Sequence, residues 1–168
     1  YTCEPEESYA SRTISPIGVF CHEYGHFLGL PDLYVINDVT APYSSGLGRW
    51  SLMAMGNYNG QSKSPAHLDA WCKMDLGFVS TTDVMTNLVA APIPQVESEP
   101  TIYRQWYNGQ YAGLQYFLVE NRQQIGFDQA LPGSGLLIYH IYTIGGDAEG
   151  NNIEGRPYHV ALEQADGQ

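Results

Sequence analysis

Basic residues are scarce in this chain: 7 Lys and Arg stand against 18 Asp and Glu, for a formal charge of −11. A surface of that sign repels phosphate backbones and anionic lipid head groups, which argues against nucleic acid as a partner. No apolar run approaches the roughly 20 residues that cross a bilayer, so no membrane span is expected. No basic segment followed by an apolar stretch opens the sequence, so no signal peptide is read in it, and because the first residue is Tyr1, a leader, propeptide or further domain is expected to have been removed or left out. Cysteine is sparse too. Cys3, Cys21 and Cys72 are odd in number and lack CxxC spacing, so no thiolate metal site is signalled, at most one internal disulfide can form, and the compartment stays open. Internal repeats and low-complexity tracts are absent.

What is present is the composition of a folding chain: 43% apolar residues and 13 tyrosines in 168 residues, enough for one ordinary domain or part of a larger one. The acidity suits an extracellular protein that must stay soluble, or a supply of carboxylates for calcium, and charge alone does not choose between them. Residues 1–14 are polar and turn-rich. Ser15-Pro16 then supplies a helix start, with Ser as N-cap and Pro at the first helical position. Ile17, Phe20, Cys21, Tyr24, Phe27 and Leu28 follow at helical period as one apolar stripe expected to face a core, and Gly29 ends the helix. Leu30 to Gly60 reads as a long irregular excursion with a tight segment at Trp50-Ser51-Leu52-Met53. A second helix is expected from Ser64-Pro65 to Gly77, with Leu68, Trp71, Cys72 and Leu76 on one face. Extended segments are expected at 101–107, 115–120, 135–141 and 158–162, with the Pro-rich stretch 90–100 as the linker. The fold class is therefore α+β, with a helical part at 1–90 and a β-rich part at 91–168 packed on the same unit.

The chemistry is concentrated in His22-Glu23-Tyr24-Gly25-His26. Four residues of helix advance about 400°, which stacks two imidazoles one turn apart on the same side, where both reach one ion. On the wheel set by the apolar stripe they lie opposite it, so they are expected to look into a cleft. Glu23 is offset by about 100°, too far round for a ligand but suited to take a proton from an activated water. From this chain's own composition the five-residue pattern arises by chance on the order of one per cent of the time. It continues to HExxHxxGxxD through Gly29 and Asp32, which lowers that figure to roughly a few in a hundred thousand. Gly29 can take the positive φ that turns the chain back and delivers Asp32 as a third, oxygen ligand. Three protein ligands with an open position is the arrangement of a catalytic zinc.

Further along, Trp50-Ser51-Leu52-Met53-Ala54-Met55-Gly56 resembles the methionine-containing turn beneath the metal of metzincins, with Met53 as its methionine. Tyr58 is a candidate hydrogen-bond donor to an oxyanion, although a structural tyrosine is the commoner case. His67 is read as a surface helix residue, and His140 and His159 as strand residues, with no ligand spacing among them. Asp147, Glu149, Asn151 and Asn152 form a candidate calcium loop that departs from EF-hand spacing, so a polar turn competes with it. Glu120-Asn121-Arg122 at the end of an apolar strand is read as solvated or paired, without chemistry.

CHEYGHFLGLPDLY, then GRWSLMAMG, YFLVENRQQIGFDQALPGSGLLIYHI and VALEQADG resemble the immune inhibitor A family of secreted bacterial metallopeptidases. The resemblance implies a zincin- or metzincin-like catalytic core and one catalytic zinc, with His22, His26 and Asp32 as ligands, Glu23 as general base and Met53 as the turn residue. It also implies an endopeptidase acting on protein or peptide substrates, secreted or at the cell surface. Tyr142 stands where the family tends to carry an acidic residue. Zincins place an N-terminal subdomain before the active-site helix, and only residues 1–16 precede it here, so the N-terminal zincin subdomain is expected to be missing and the chain to be the C-terminal part of a longer catalytic domain. Two competing readings stand beside this one: a metal-stabilised adhesion or carbohydrate-binding module, against which Glu23 argues, and an inactive zinc-binding fragment.

Overall fold

In the computed structural model, which describes residues 3–7, 12–35, 46–110, 113–153 and 156–163, the leading helix α1 spans Ile17–Phe27. Its N-cap is Pro16, with φ −66° and no side-chain cap. The expected Ser15 cap is thus corrected: Ser15 is held one residue further out, its backbone N–H donating to the Glu6 carbonyl at 2.8 Å. Gly29 ends the helix as expected, with φ +101°, and Leu30 N–H returns to the Gly25 carbonyl at 3.1 Å, the long bond of a Schellman turn.

The larger correction concerns which face of α1 is buried. Ile17, Phe20, Tyr24, Phe27 and Leu28 are 40–71% exposed, while Gly18, His22 and Gly25 are buried. The stripe does not face the core; the histidine-bearing edge does. The reason is steric. A Cβ at Gly18 would overlap the backbone carbonyl of Asn57, and one at Gly25 would overlap the Met53 sulfur, so glycine at these two positions lets the 51–58 segment close against the helix. The uncovered stripe, with Leu52, Leu68 and Phe78, borders an open apolar groove of about 740 Å³.

Within the 51–58 segment, residues 51–54 lie between 3₁₀ turns at Gly48–Trp50 and Met55–Tyr58. Helix α2 is shorter than expected, Ala70–Asp75, and its start is set by Asp69 rather than Ser64. The Asp69 carboxylate accepts from Trp71 and Cys72 N–H, both at 3.0 Å, which satisfies two of the donors every helix start leaves open. Ser64 instead donates to the Phe127 carbonyl at 2.8 Å. Gly77, φ +70°, closes α2. His67 therefore precedes the helix and is only partly exposed, its backbone N–H on Asp128 at 2.8 Å; the expected surface helix position is corrected. The thiols of Cys3, Cys21 and Cys72 are free.

One five-stranded sheet follows in chain order: β1 (Thr81–Asp83), β2 (Ile102–Trp106), β3 (Gln115–Arg122), β4 (Gly135–Tyr142) and β5 (Val160–Leu162). β1 runs parallel to β2 and every other pair is antiparallel. β2 to β5 fall on the expected extended segments; β1, a short polar edge strand, was not expected. His140 lies in β4, whereas His159 sits just before β5.

Alternation along β3 and β4 puts Tyr116, Leu118, Glu120 and Arg122 beside Leu137, Tyr139 and Ile141 on the buried face. That face joins Leu30, Leu33, Leu47, Met53, Ala70 and Cys72 in one core running through both parts of the chain. Glu120 and Arg122 are 0% exposed, inside the strand and fully paired rather than solvated at its end. Lys73 reaches Glu120 at 2.7 Å, and Arg122 holds both Asp128 oxygens at 2.7 Å. The same guanidinium donates to the Trp50 carbonyl at 3.3 Å, and Ser51 Oγ donates to Asp69 at 2.5 Å. Arg122 and Asp69 thus hold Trp50 and Ser51, the two residues that lead into the Met53 turn.

Candidate metal centre

His22 and His26 present their rings from the buried edge of α1, and Gly29 swings Asp32 back beneath them. The two Nε2 atoms are 3.2 Å apart, and Asp32 Oδ1 lies 3.2 Å from each. Both tautomers are dictated by neighbours: His22 Nδ1 is 2.8 Å from the Leu52 carbonyl and His26 Nδ1 is 2.8 Å from the Leu30 carbonyl. A carbonyl can only accept, so each Nδ1 carries the proton and each Nε2 is left as a lone pair. Two lone pairs and a carboxylate oxygen thus converge on one point. Asp32 Oδ1 is buried without a hydrogen-bond partner, an arrangement that is repulsive unless a cation occupies the centre.

The spacing fits zinc. Ligand bonds of about 2.0–2.1 Å in tetrahedral geometry set ligand–ligand edges of about 3.3–3.4 Å, against the 3.2 Å observed on all three edges. Among the described residues this is the one cluster of three or more His, Cys, Asp or Glu side chains able to hold a metal. A proton competes for the same point: burial pushes His22 down, but Asp32 and the Leu52 carbonyl outweigh it and hold the ring above its ordinary value. Burial likewise pushes Asp32 up, and His22, His26 and Tyr34 outweigh it, holding the carboxylate below its ordinary value.

Glu23 is half-buried beside His22 on the same helix. Met53, fully buried, packs its sulfur against Gly25. Its carbonyl accepts from Leu33 N–H at 2.8 Å, so the 51–54 turn touches both the helix and the segment bearing Asp32. Tyr58 is 50% exposed.

Sequence reading missed Tyr34. Its hydroxyl donates to Asp32 Oδ2 at 3.1 Å, and its ring stacks on His22 with centroids 6.4 Å apart. Burial, with Asp32, Glu23 and Tyr58 nearby, pushes its phenol up to about 12, so it remains a donor. The available signal was its place two residues after Asp32 in the sequence.

In the 147–152 loop the Asp147 carboxylate is taken up internally: it accepts from Glu149 N–H and from the backbone and side chain of Asn151, at 2.9–3.0 Å. Gln164 to Gly167 of the VALEQADG block lie outside the described residues.

Residues 1–78 match the family model described as immune inhibitor A peptidase M6, catalytic domain. No curated protein and no solved structure matches the chain. The matched span holds α1, the His22–His26–Asp32 cluster, the Met53 turn and α2. Over these residues the chain is similar to the catalytic domain of immune inhibitor A peptidases.

Proposed function

We propose that this chain is the metal-bearing core of a zinc-dependent endopeptidase that cleaves extracellular proteins. The observation that carries the reading is the triangle of His22 Nε2, His26 Nε2 and Asp32 Oδ1, 3.2 Å on every edge, with its donors left without protons by the Leu52 and Leu30 carbonyls. Zinc held there supplies Lewis acidity toward the scissile carbonyl and makes water acidic enough to attack near neutral pH. Glu23, one residue from the first ligand, takes the proton of the attacking water and returns it to the leaving amine, so no covalent intermediate is needed. Tyr34 keeps the second Asp32 oxygen occupied, which leaves Oδ1 as the ligand atom. Tyr58, half exposed near Tyr34, is the proposed donor to the developing oxyanion. A structural site would close with four protein ligands and would have no use for Glu23, which disfavours the adhesion-module reading.

The test is Glu23→Gln, assayed for zinc content and for cleavage of an unfolded protein substrate beside the wild type. Zinc should be retained while turnover falls by about 10²–10⁴-fold, the usual worth of a positioned acid–base group. Undiminished cleavage by the variant would remove Glu23 from the mechanism.

A further inference from the structure

Between Gly29 and Leu33 the chain forms neither helix nor strand, so the position of Asp32 depends on what holds its backbone. Part of the hold is local: Leu30 N–H returns to Gly25, and Leu33 N–H donates to the Met53 carbonyl at 2.8 Å. The rest comes from a loop far along the sequence. Asp32 N–H donates to the Asn151 side-chain oxygen at 2.7 Å, across 119 residues. The Asp32 carbonyl accepts from Asn152 N–H at 3.1 Å. Both backbone groups of the third ligand are therefore taken by two adjacent asparagines.

Each asparagine is itself fixed. Asn151 is gripped by Asp147 through its backbone N–H and its Nδ2, both at 2.9 Å. Its amide must accept from Asp32 on one side and donate to Asp147 on the other, which neither an aspartate nor an apolar residue can do. Asn152 is 0% exposed; its Nδ2 donates to the Leu33 and Val160 carbonyls at 3.2 and 2.8 Å, and its Oδ1 accepts from Val160 N–H at 3.2 Å. Val160 is paired with Ile141 in the sheet. A continuous hydrogen-bonded path thus runs from the β-sheet through Asn152 to the Asp32–Leu33 backbone.

We propose that Asn151 is a positioning residue for the metal centre, with Asn152 anchoring it to the sheet, so that the β-rich part sets the geometry of a ligand carried by the helical part. The inference rests on the zinc reading above. Its test is zinc affinity of the intact chain by chelator competition, for wild type, Asn151→Ala and Asn152→Ala, together with the visible spectrum of the cobalt(II)-loaded proteins and the unfolding midpoint of each without metal. Asn151 is the decisive site, because it is only half-buried and its truncation opens no core cavity. Zinc should bind N151A about 10–100-fold more weakly, the usual cost of losing an outer hydrogen bond to a ligand. Its cobalt spectrum should change while the metal-free protein still unfolds cooperatively near the wild-type midpoint. Wild-type affinity and spectrum in N151A would overturn the inference and leave the zinc reading intact. Weaker binding with an unchanged cobalt spectrum would also overturn it, since that is general loosening rather than a displaced ligand. A wild-type chain that takes up no zinc would overturn the zinc reading and this inference with it.

Discussion

Replacing Arg122 with methionine should be strongly destabilising although it lies outside the proposed metal centre, and the structure says why. The guanidinium is 0% exposed and contacts Asp128 through two bonds of 2.7 Å, Glu120 at 3.1 Å and the Trp50 carbonyl at 3.3 Å. Without it, Glu120 keeps Lys73 at 2.7 Å and the Tyr139 hydroxyl at 2.9 Å. Asp128 keeps His67 N–H at 2.8 Å but loses its cation, and Glu97, 3.8 Å from the guanidinium, loses it too; Asp128, which held the two short bonds, is the main stranded charge. Removing one partner of a buried pair costs about 3–5 kcal/mol. In a chain of this size each kcal/mol moves the thermal midpoint by roughly 2–4 °C, so the expected drop is roughly 6–20 °C. Urea and thermal unfolding at pH 7 measure it directly. The double variant Arg122→Met/Asp128→Asn removes the stranded charge as well and should recover part of the loss. A single variant within about 1 kcal/mol of wild type, or a double variant no better than the single, would refute the account of this network.

Gly18→Ala should destabilise by about 1–3 kcal/mol or more, because the new methyl meets the rigid Asn57 carbonyl rather than a movable side chain; an unchanged thermal midpoint would show that α1 and the 55–58 turn are not in that contact. Stability should also fall on the acid side. Burial pushes Glu120 up, but Lys73 and Arg122 outweigh it and hold the group below its ordinary 4.5, so its contribution is complete above that value and lost as pH falls through the lower folded-state value. The urea midpoint of Glu120→Gln should therefore vary less with pH below about 4.5 than that of wild type, and parallel profiles would contradict the assignment.

The local parts of this site were legible in the sequence. Two histidines a helical turn apart, and a glycine that turns the chain toward Asp32, need only helix geometry and one positive φ. Extended segments separated by Gly, Pro, Asn and Asp likewise marked β2 to β5. The burial of α1 was not legible from hydrophobicity, because the deciding feature is the absence of side chains at Gly18 and Gly25, and a hydrophobic stripe says nothing about which face a second segment can approach. Ser64-Pro65 looked like a helix start until Asp69 captured the Trp71 and Cys72 N–H groups. Glu120 and Arg122 gave no sign of burial because their partners, Lys73 and Asp128, lie on other elements. Asn151 was readable as a polar turn; its bond to Asp32 spans 119 residues and has no local signature.

The central claim, that His22, His26 and Asp32 form one zinc site, is tested most directly by elemental analysis of the purified chain after dialysis against metal-free buffer, with His26→Ala alongside. The account predicts one zinc per wild-type chain, absent from the variant. Wild-type protein with no zinc, or a variant that keeps its zinc, would contradict it.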